Sequence, residues 1–206
     1  MRGLFIVVEG VDGSGKTTVA EHLAKWFREQ GREVKLTREP GGTCLGMELR
    51  SILLSERGAK LSQTTQALLV TAARRHHVET VIAPALAENK VVICDRFTIS
   101  TRAYQPDAAR LNDLIEIGTW IVKPDLVLFL DVGYETASRR IMERQMSEAT
   151  NHFDRPSKED FNRRRNIMTD CWKSDLNAMK IWSEQPLSII LETVELYASD
   201  LLAETT

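Results

Sequence analysis

The chain has 206 residues, 43% of them apolar and 27% charged, with a formal net charge of −2. That length suits one globular domain with a sizeable core, and the near-neutral charge excludes a general attraction to nucleic acid. No apolar run approaches membrane-spanning length, and Cys44, Cys94 and Cys171 lack metal-ligand spacing and read as free thiols of a reducing compartment. Met1-Arg2-Gly3 leads straight into the first strand, so the expectation is a cytoplasmic protein with neither a membrane nor a nucleic-acid partner.

The first element is an apolar run, Leu4 to Val8, ending at Glu9. Gly10-Val11-Asp12-Gly13-Ser14-Gly15-Lys16-Thr17 follows, a complete G-x-x-x-x-G-K-[ST] phosphate-binding loop, and Thr18 carries the chain into a helical pattern. Glycines let backbone N–H groups turn inward around a phosphate. Lys16 can reach the outer phosphates, the Thr17 hydroxyl can hold Mg²⁺, and the helix presents its positive end to the same anion. Gly10 to Thr18 are the expected ATP-binding residues.

Helix 16–30 repeats Val19, Ala20, Leu23, Ala24, Trp26 and Phe27 at helical spacing, and Gly31 closes it. A strand at Glu33–Thr37 leads into Thr37-Arg-Glu-Pro-Gly-Gly-Thr43, a turn that sets Arg38 and Glu39 at the mouth of the phosphate loop. Helix 46–55 carries Arg50, and helix 64–88 carries Arg74, followed by Arg75, His76 and His77, which read as a solvated face. The strand Val91–Asp95 ends on a carboxylate suited to Mg²⁺, directly or through water, and Arg96 adds a cation beside it. Helix 110–122, strand Leu126–Asp131, helices 133–147 and 157–183, strand Leu187–Leu191 and helix 194–204 complete the pattern. Strands alternating with helices predict a parallel sheet covered on both faces, with ligands beyond the C-terminal strand ends.

Transfer between two phosphates needs positioning and charge neutralisation more than covalent chemistry. An acceptor that already carries a phosphate therefore needs arginines of its own, and Arg74 and Arg96 are candidates. Arg139, Arg140, Arg144, Arg155, Arg163, Arg164 and Arg165 surround the polar stretch 145–158. Many are expected to be surface charges. Their functional reading is a flap that brings cations over the phosphoryl group and excludes water. A nucleotide switch needs one site only, and a nucleoside kinase needs a carboxylate base. The second group of arginines weakens both readings.

The ordered segments Glu9–Thr18, Thr37–Thr43, Leu68–His77, Asp95-Arg-Phe97, Ser100-Thr-x-Ala-Tyr-Gln105 and Lys123-Pro-Asp-Leu126 resemble the bacterial and phage thymidylate kinases across nearly the whole chain. The resemblance implies an α/β P-loop NTPase fold of the nucleoside-monophosphate-kinase type, with a five-stranded parallel sheet flanked by helices. It implies a single domain over 1–206 with a mobile lid at about 140–157, and a homodimer. The implied reaction is Mg²⁺-dependent transfer from ATP to dTMP, giving dTDP and ADP.

Site roles carry over residue by residue. Lys16 and Thr17 match the ATP-phosphate cradle, with Thr17 and Asp95 at the metal. Asp12 matches a carboxylate near the acceptor sugar and phosphate, Arg74 an arginine at the base, and Arg96 the arginine on the monophosphate. Thr101 and Gln105 match positions reading the thymine edge. Tyr104 matches a ring against the deoxyribose. Glu39 and Arg50 match positions at the acceptor phosphate and metal. One subgroup carries a catalytic arginine where this chain has Gly13, so the cation should come from the flap, with Arg140 and Arg144 at the best spacing and Arg155 in its closing Asp-Arg. Val70 stands where the family has an aromatic ring stacked on thymine, Ile99 where an aspartate is usual, and Pro106–Ala109 where a glycine-rich loop is usual. These departures leave a 5-substituted deoxyuridine monophosphate as an alternative acceptor.

Overall fold

The computed structural model describes residues 2–120, 122–145, 157–175 and 177–205. Five strands, β1 (Leu4–Glu9), β2 (Val34–Arg38), β3 (Val91–Asp95), β4 (Leu126–Asp131) and β5 (Ala178–Trp182), form one sheet in the order β2-β3-β1-β4-β5. Every pairing is parallel. The chain runs to one side of β1 for β2 and β3 and to the other for β4 and β5. The C-terminal end of β1 is therefore the topological switch point, where ligands bind in such sheets.

β1 is buried along its whole length, as a central parallel strand must be. Leu4, Ile6 and Val8 pack on one face, against Val19, Leu23 and Phe27 of α1 (Lys16–Glu29) and Ile190, Val194 and Ala198 of α10 (Leu187–Ala203). Phe5 and Val7 face the opposite core with Phe97, Phe129, Phe161 and Met168. Gly31, at φ 76°, ends α1 as expected. The Arg32 N–H donates to the Phe27 carbonyl and the Gly31 N–H to the Arg28 carbonyl.

Between β2 and β3 lie α2 (Cys44–Leu54), the short α3 (Glu56–Ala59) and α4 (Gln63–His77), capped by Ser62. The chain continues through a π-helical turn, Val78–Ile82, into α5 (Ala83–Ala87), so the expected helix 64–88 is real but widened at its middle. After β3 come α6 (Thr98–Tyr104) and α7 (Leu111–Thr119); after β4 come α8 (Tyr134–Gln145) and α9 (Lys158–Ser174).

Two expectations are overturned. Residues 187–191 are not a strand but the first turns of α10, whose buried residues Ile190, Val194 and Ala198 recur every four residues through the apolar run. The fifth strand lies instead at 178–182, inside the stretch expected to be one helix over 157–183. Ala178 and Ile181 are its buried positions. The segment forming α6 was not expected to be helical at all.

Leu128, fully buried in β4 between the two cores, makes the sheet testable. Leu128→Ala is expected to lower stability by about 2–5 kcal/mol in urea unfolding. A loss below about 0.5 kcal/mol would contradict the placement of β4.

Candidate active site

The phosphate loop sits beyond β1 with Gly10 at φ 150°, Gly13 at φ 78° and Gly15 at φ 90°. A Cβ on Gly13 would stand 2.6 Å from the Ala137 carbonyl oxygen of α8, so no side chain fits there without moving that helix. Lys16 folds back across the loop and donates to the Val11 carbonyl at 2.8 Å. Burial first, and then the nearby Arg96 guanidinium, push its amine down to about 8, against the pull of Asp95, Asp12 and Glu9.

Thr17 donates from its hydroxyl to Asp95 Oδ2 at 2.7 Å. Register brings the two together, because Val8 pairs with Asp95 and the loop begins two residues on, at Gly10. Asp95 Oδ1 is buried without a hydrogen-bond partner among the described residues. A hydroxyl beside a carboxylate oxygen with spare acceptor capacity is a hard-oxygen donor set that suits Mg²⁺.

Asp12 anchors a second cluster. One carboxylate oxygen accepts from Arg96 and the other from the Tyr104 hydroxyl. Burial raises the Asp12 carboxyl, but Arg96, Lys16, the Tyr104 bond and Arg164 outweigh it and hold it at about 2. Burial and the Asp12 charge push the Tyr104 phenol up, against the pull of Arg96. Arg96 has φ 75°, a conformation costly for a residue with a side chain. Its guanidinium is held there by Asp12, the Gly10 carbonyl and the Ser100 hydroxyl. Ser100 in turn donates to Glu9. That buried carboxylate also accepts from the Phe97 and Ser100 N–H groups and so fixes the start of α6.

The third cluster is deeper. Arg74 is almost fully buried, with Nε on Glu39 Oε2 at 2.6 Å and Nη2 on the Phe97 carbonyl and Thr101 Oγ1. Arg74 Nη1 is buried without a hydrogen-bond partner among the described residues. Glu39 Oε1 meets His77 Nδ1 at 3.0 Å, and His77 Nε2 meets the Thr37 hydroxyl at 2.7 Å. His77 is therefore part of a buried relay and not of a solvated face. Cys94 completes a His/Glu/Cys grouping, but both Glu39 oxygens and both His77 nitrogens are engaged, and burial pushes the Cys94 thiol well up. Hydrogen bonding accounts for this cluster without an ion. Gln105 contacts Gln66 and Val70 is buried on α4, while Arg50 donates to the Pro40 carbonyl. Burial, then Arg38 and Arg96, push the Arg50 guanidinium down, so it faces a positively charged neighbourhood.

Of the expected residues, Thr17 meets Asp95 and Asp12 meets Arg96 and Tyr104 by direct contact, Lys16 lies near enough to feel the charges of Asp12, Asp95 and Arg96, and Glu39, Arg74 and Thr101 form a further cluster. Arg140 does not stand free for a flap. It donates to the Gly13 carbonyl and to the hydroxyl and carbonyl of Ser183, while Ser183 donates to the Ser14 carbonyl. It braces the back of the loop. Arg144 lies on the exposed side of α8, and Arg155, with residues 146–156 of the expected lid, lies outside the described residues. Sequence reasoning gave no role to Glu9 or Ser183 and named Ser100 only as the start of a motif. Glu9 carried a signal, a carboxylate closing an apolar strand.

A phosphate loop at the switch point of a parallel sheet, facing a second site lined by arginines, defines a P-loop kinase of the nucleoside-monophosphate type. Residues 8–194 match the family model described as thymidylate kinase. The chain is 49% identical over 145 residues to a probable thymidylate kinase of Pyrococcus horikoshii, a match covering 68% of this chain and 71% of the relative. It is 44% identical over 164 residues to the thymidylate kinase of Geobacter sulfurreducens, covering 75% and 76% of the two chains. The crystal structure of thymidylate kinase from Ehrlichia chaffeensis superposes with a TM-score of 0.72 at 30% identity, covering 95% of this chain and 99% of that one. The chain belongs to the thymidylate kinase family.

The position of Lys16 makes ATP binding pH-dependent. Below pH 8 the free amine carries its charge; above it the amine is neutral, and a bound triphosphate must draw a proton back onto it. ATP affinity is expected to fall as pH rises through about 8, approaching about tenfold per pH unit. Titration calorimetry between pH 7 and 9.5 measures this, and a flat affinity would contradict the burial of Lys16.

Proposed function

We infer that the protein transfers the γ-phosphoryl group of ATP to dTMP, giving dTDP and ADP. The observation that carries this reading is the Asp12–Arg96–Tyr104 cluster. It sets a guanidinium, a carboxylate and a phenol directly against the phosphate loop, which supports an acceptor site there. The acceptor phosphate is already anionic, so no general base is needed. Arg96 and Lys16 supply charge to the phosphates, and the backbone of Gly13 to Thr18 cradles the donor. Thr17 and Asp95 would hold Mg²⁺, which would neutralise phosphate charge. Arg74, Thr101 and Gln105 line the base end, where the spare Arg74 Nη1 donor supports a contact to the acceptor. Tyr104 packs by the sugar. Glu39 acts through Arg74 and His77, and Arg50 faces the acceptor phosphate.

The lid at about 140–157 closes the site over the donor, with Arg144 and Arg155 as its cations and Arg140 at its root. Family membership favours dTMP over a 5-substituted deoxyuridine monophosphate. The protein acts in the cytoplasm as a homodimer. Exposed Leu45, Met47 and Ile52 on α2, Leu68 on α4 and Ile117 on α7 support that assembly, since these helices pack side by side and leave apolar surface uncovered. No helix among the described residues is long and apolar enough to cross a membrane.

An ADP-release assay over dTMP, dUMP, 5-hydroxymethyl-dUMP, dCMP and dGMP tests the acceptor. dTMP is expected among the best; a poor rate with dTMP would sink the reading. In the same assay Lys16→Ala is expected to abolish transfer and Arg96→Ala to cut turnover at least ~10²-fold. Undiminished turnover in either would refute its role. Val70→Phe is expected to lower the KM for dTMP by adding a ring at the base; an unchanged or higher KM counts against Val70 lying at the base.

A further inference from the structure

Arg74 and His77 stand three residues apart on one face of α4, and both reach the same carboxylate. Arg74 Nε donates to Glu39 Oε2 at 2.6 Å, and His77 Nδ1 meets Oε1 at 3.0 Å. A residue between them turns away, since Arg75 pairs with Glu79 on the surface. A carboxylate paired with an arginine only accepts, so Nδ1 carries the hydrogen and donates. In the neutral ring Nε2 then accepts from the Thr37 hydroxyl, 2.7 Å away. The imidazole is fully buried and closely fitted. A Cβ on Gly42 would stand 2.3 Å from His77 Nε2 and 2.7 Å from Thr37 Oγ1, so the ring fits because residue 42 is glycine. The helix widens into its π-helical turn at the next residue, Val78, and such turns gather at functional sites.

The pairing of Arg74 with Glu39 is unusual in one respect. Arginine and carboxylate commonly meet through two parallel N–H···O bonds. Here that fork stays open. His77 holds Oε1, and Arg74 Nη2, the natural second donor, goes instead to the Phe97 carbonyl at 3.0 Å and Thr101 Oγ1 at 2.8 Å. Arg74 Nη1 is buried without a hydrogen-bond partner among the described residues. Without the His77 donor, the Glu39 carboxylate is free to turn and take Nε and Nη2 together. The guanidinium would then be drawn off Thr101 and the start of α6.

We propose that His77 is a positioning residue for the acceptor site. By holding Glu39 Oε1 it keeps the fork open, which leaves the Arg74 guanidinium on Thr101 with Nη1 free for the acceptor. The inference rests on the reading of Arg74 and Thr101 as the base end of the dTMP site. It extends acceptor recognition to a side chain with no access to the nucleotide, which acts through two others.

The test compares the intact protein with His77→Leu, which removes both ring nitrogens, and His77→Asn, whose amide N–H₂ hangs from the same side-chain carbon as Nδ1 and keeps the donor. Initial rates are measured with varied dTMP at saturating ATP and with varied ATP at saturating dTMP. His77→Leu is expected to raise the dTMP KM about tenfold and to leave the ATP KM within twofold. His77→Asn is expected to recover most of the dTMP KM. A merely structural role would not separate the two substrates or be rescued by the amide. A dTMP KM within twofold of the intact protein in His77→Leu would overturn the proposal. So would equal rises in the two KM values, or a His77→Asn no better than His77→Leu. If His77→Leu does not fold, Thr37→Val decides, since it takes away the hydroxyl that orients the ring. A rise of about threefold in the dTMP KM is then expected, and an unchanged value overturns the proposal. Failure of the parent reading looks different, since the intact protein itself would then not phosphorylate dTMP.

Discussion

The site depends on a buried ion pair. Glu39, at the end of β2, and Arg74, on α4, meet at 2.6 Å with both side chains almost entirely out of water. Such a pair adds little over apolar packing, but removing one partner strands the other at a cost of about 3–5 kcal/mol. The pair is also a joint. Arg74 bonds the Phe97 carbonyl and Thr101, so the helix bearing Val70, the turn bearing Glu39 and the start of α6 share one set of contacts. Gly118 of α7 lies against the Arg74 side chain, where even a Cβ would press on it at 3.3 Å. Residues from distant stretches of chain are positioned by one guanidinium.

A second economy of the fold is that acids at strand ends orient the cations. Glu9, Glu39 and Asp95 close β1, the turn after β2, and β3. Each is almost wholly buried, and each is engaged by a side chain, Ser100 on Glu9, Arg74 and His77 on Glu39, and Thr17 on Asp95. Glu9 does its part at one remove, through Ser100 to Arg96. The strained backbone of Arg96 persists because the Val8 carbonyl, Asp12, Gly10 and Ser100 all constrain that residue. The rigidity that this creates lets charges act on a phosphate without first reorganising.

Much of this was legible from sequence because it is local. The phosphate loop is contiguous, and its neighbours in space are set by a strand before and a helix after. Asp95 and Arg96 were legible for the same reason, sitting where an apolar strand stops. The errors came where short-range patterns were ambiguous. Leu187-Ser-Ile-Ile-Leu reads as a strand if cut off at residue 191, but its helical spacing continues to Ala198. Ala178–Trp182 contains residues that helices also favour, and only pairing with β4 makes it a strand. His77 looked solvated because it follows Arg75 and His76, yet the face of α4 that carries Arg74 turns it inward. Arg140 reads as a flap residue from the family resemblance and its spacing. Its true partners, Gly13 and Ser183, are far away in sequence.

Gly13 has a bearing on how this enzyme can change over time. With φ at 78° and the Ala137 carbonyl 2.6 Å from any added carbon, the position rejects every side chain, an arginine included. Arg140 meanwhile ties α8 to the Gly13 carbonyl itself, so the helix cannot retreat to make room while that bond stands. Placing an arginine in the loop at position 13 would require the glycine, the helix position and the bracing arginine to change together. Single mutations lead downhill from here. The closed position is an inherited architectural commitment, and descendants of this chain that keep α8 where it is must draw any further side-chain cation for the phosphates from outside position 13.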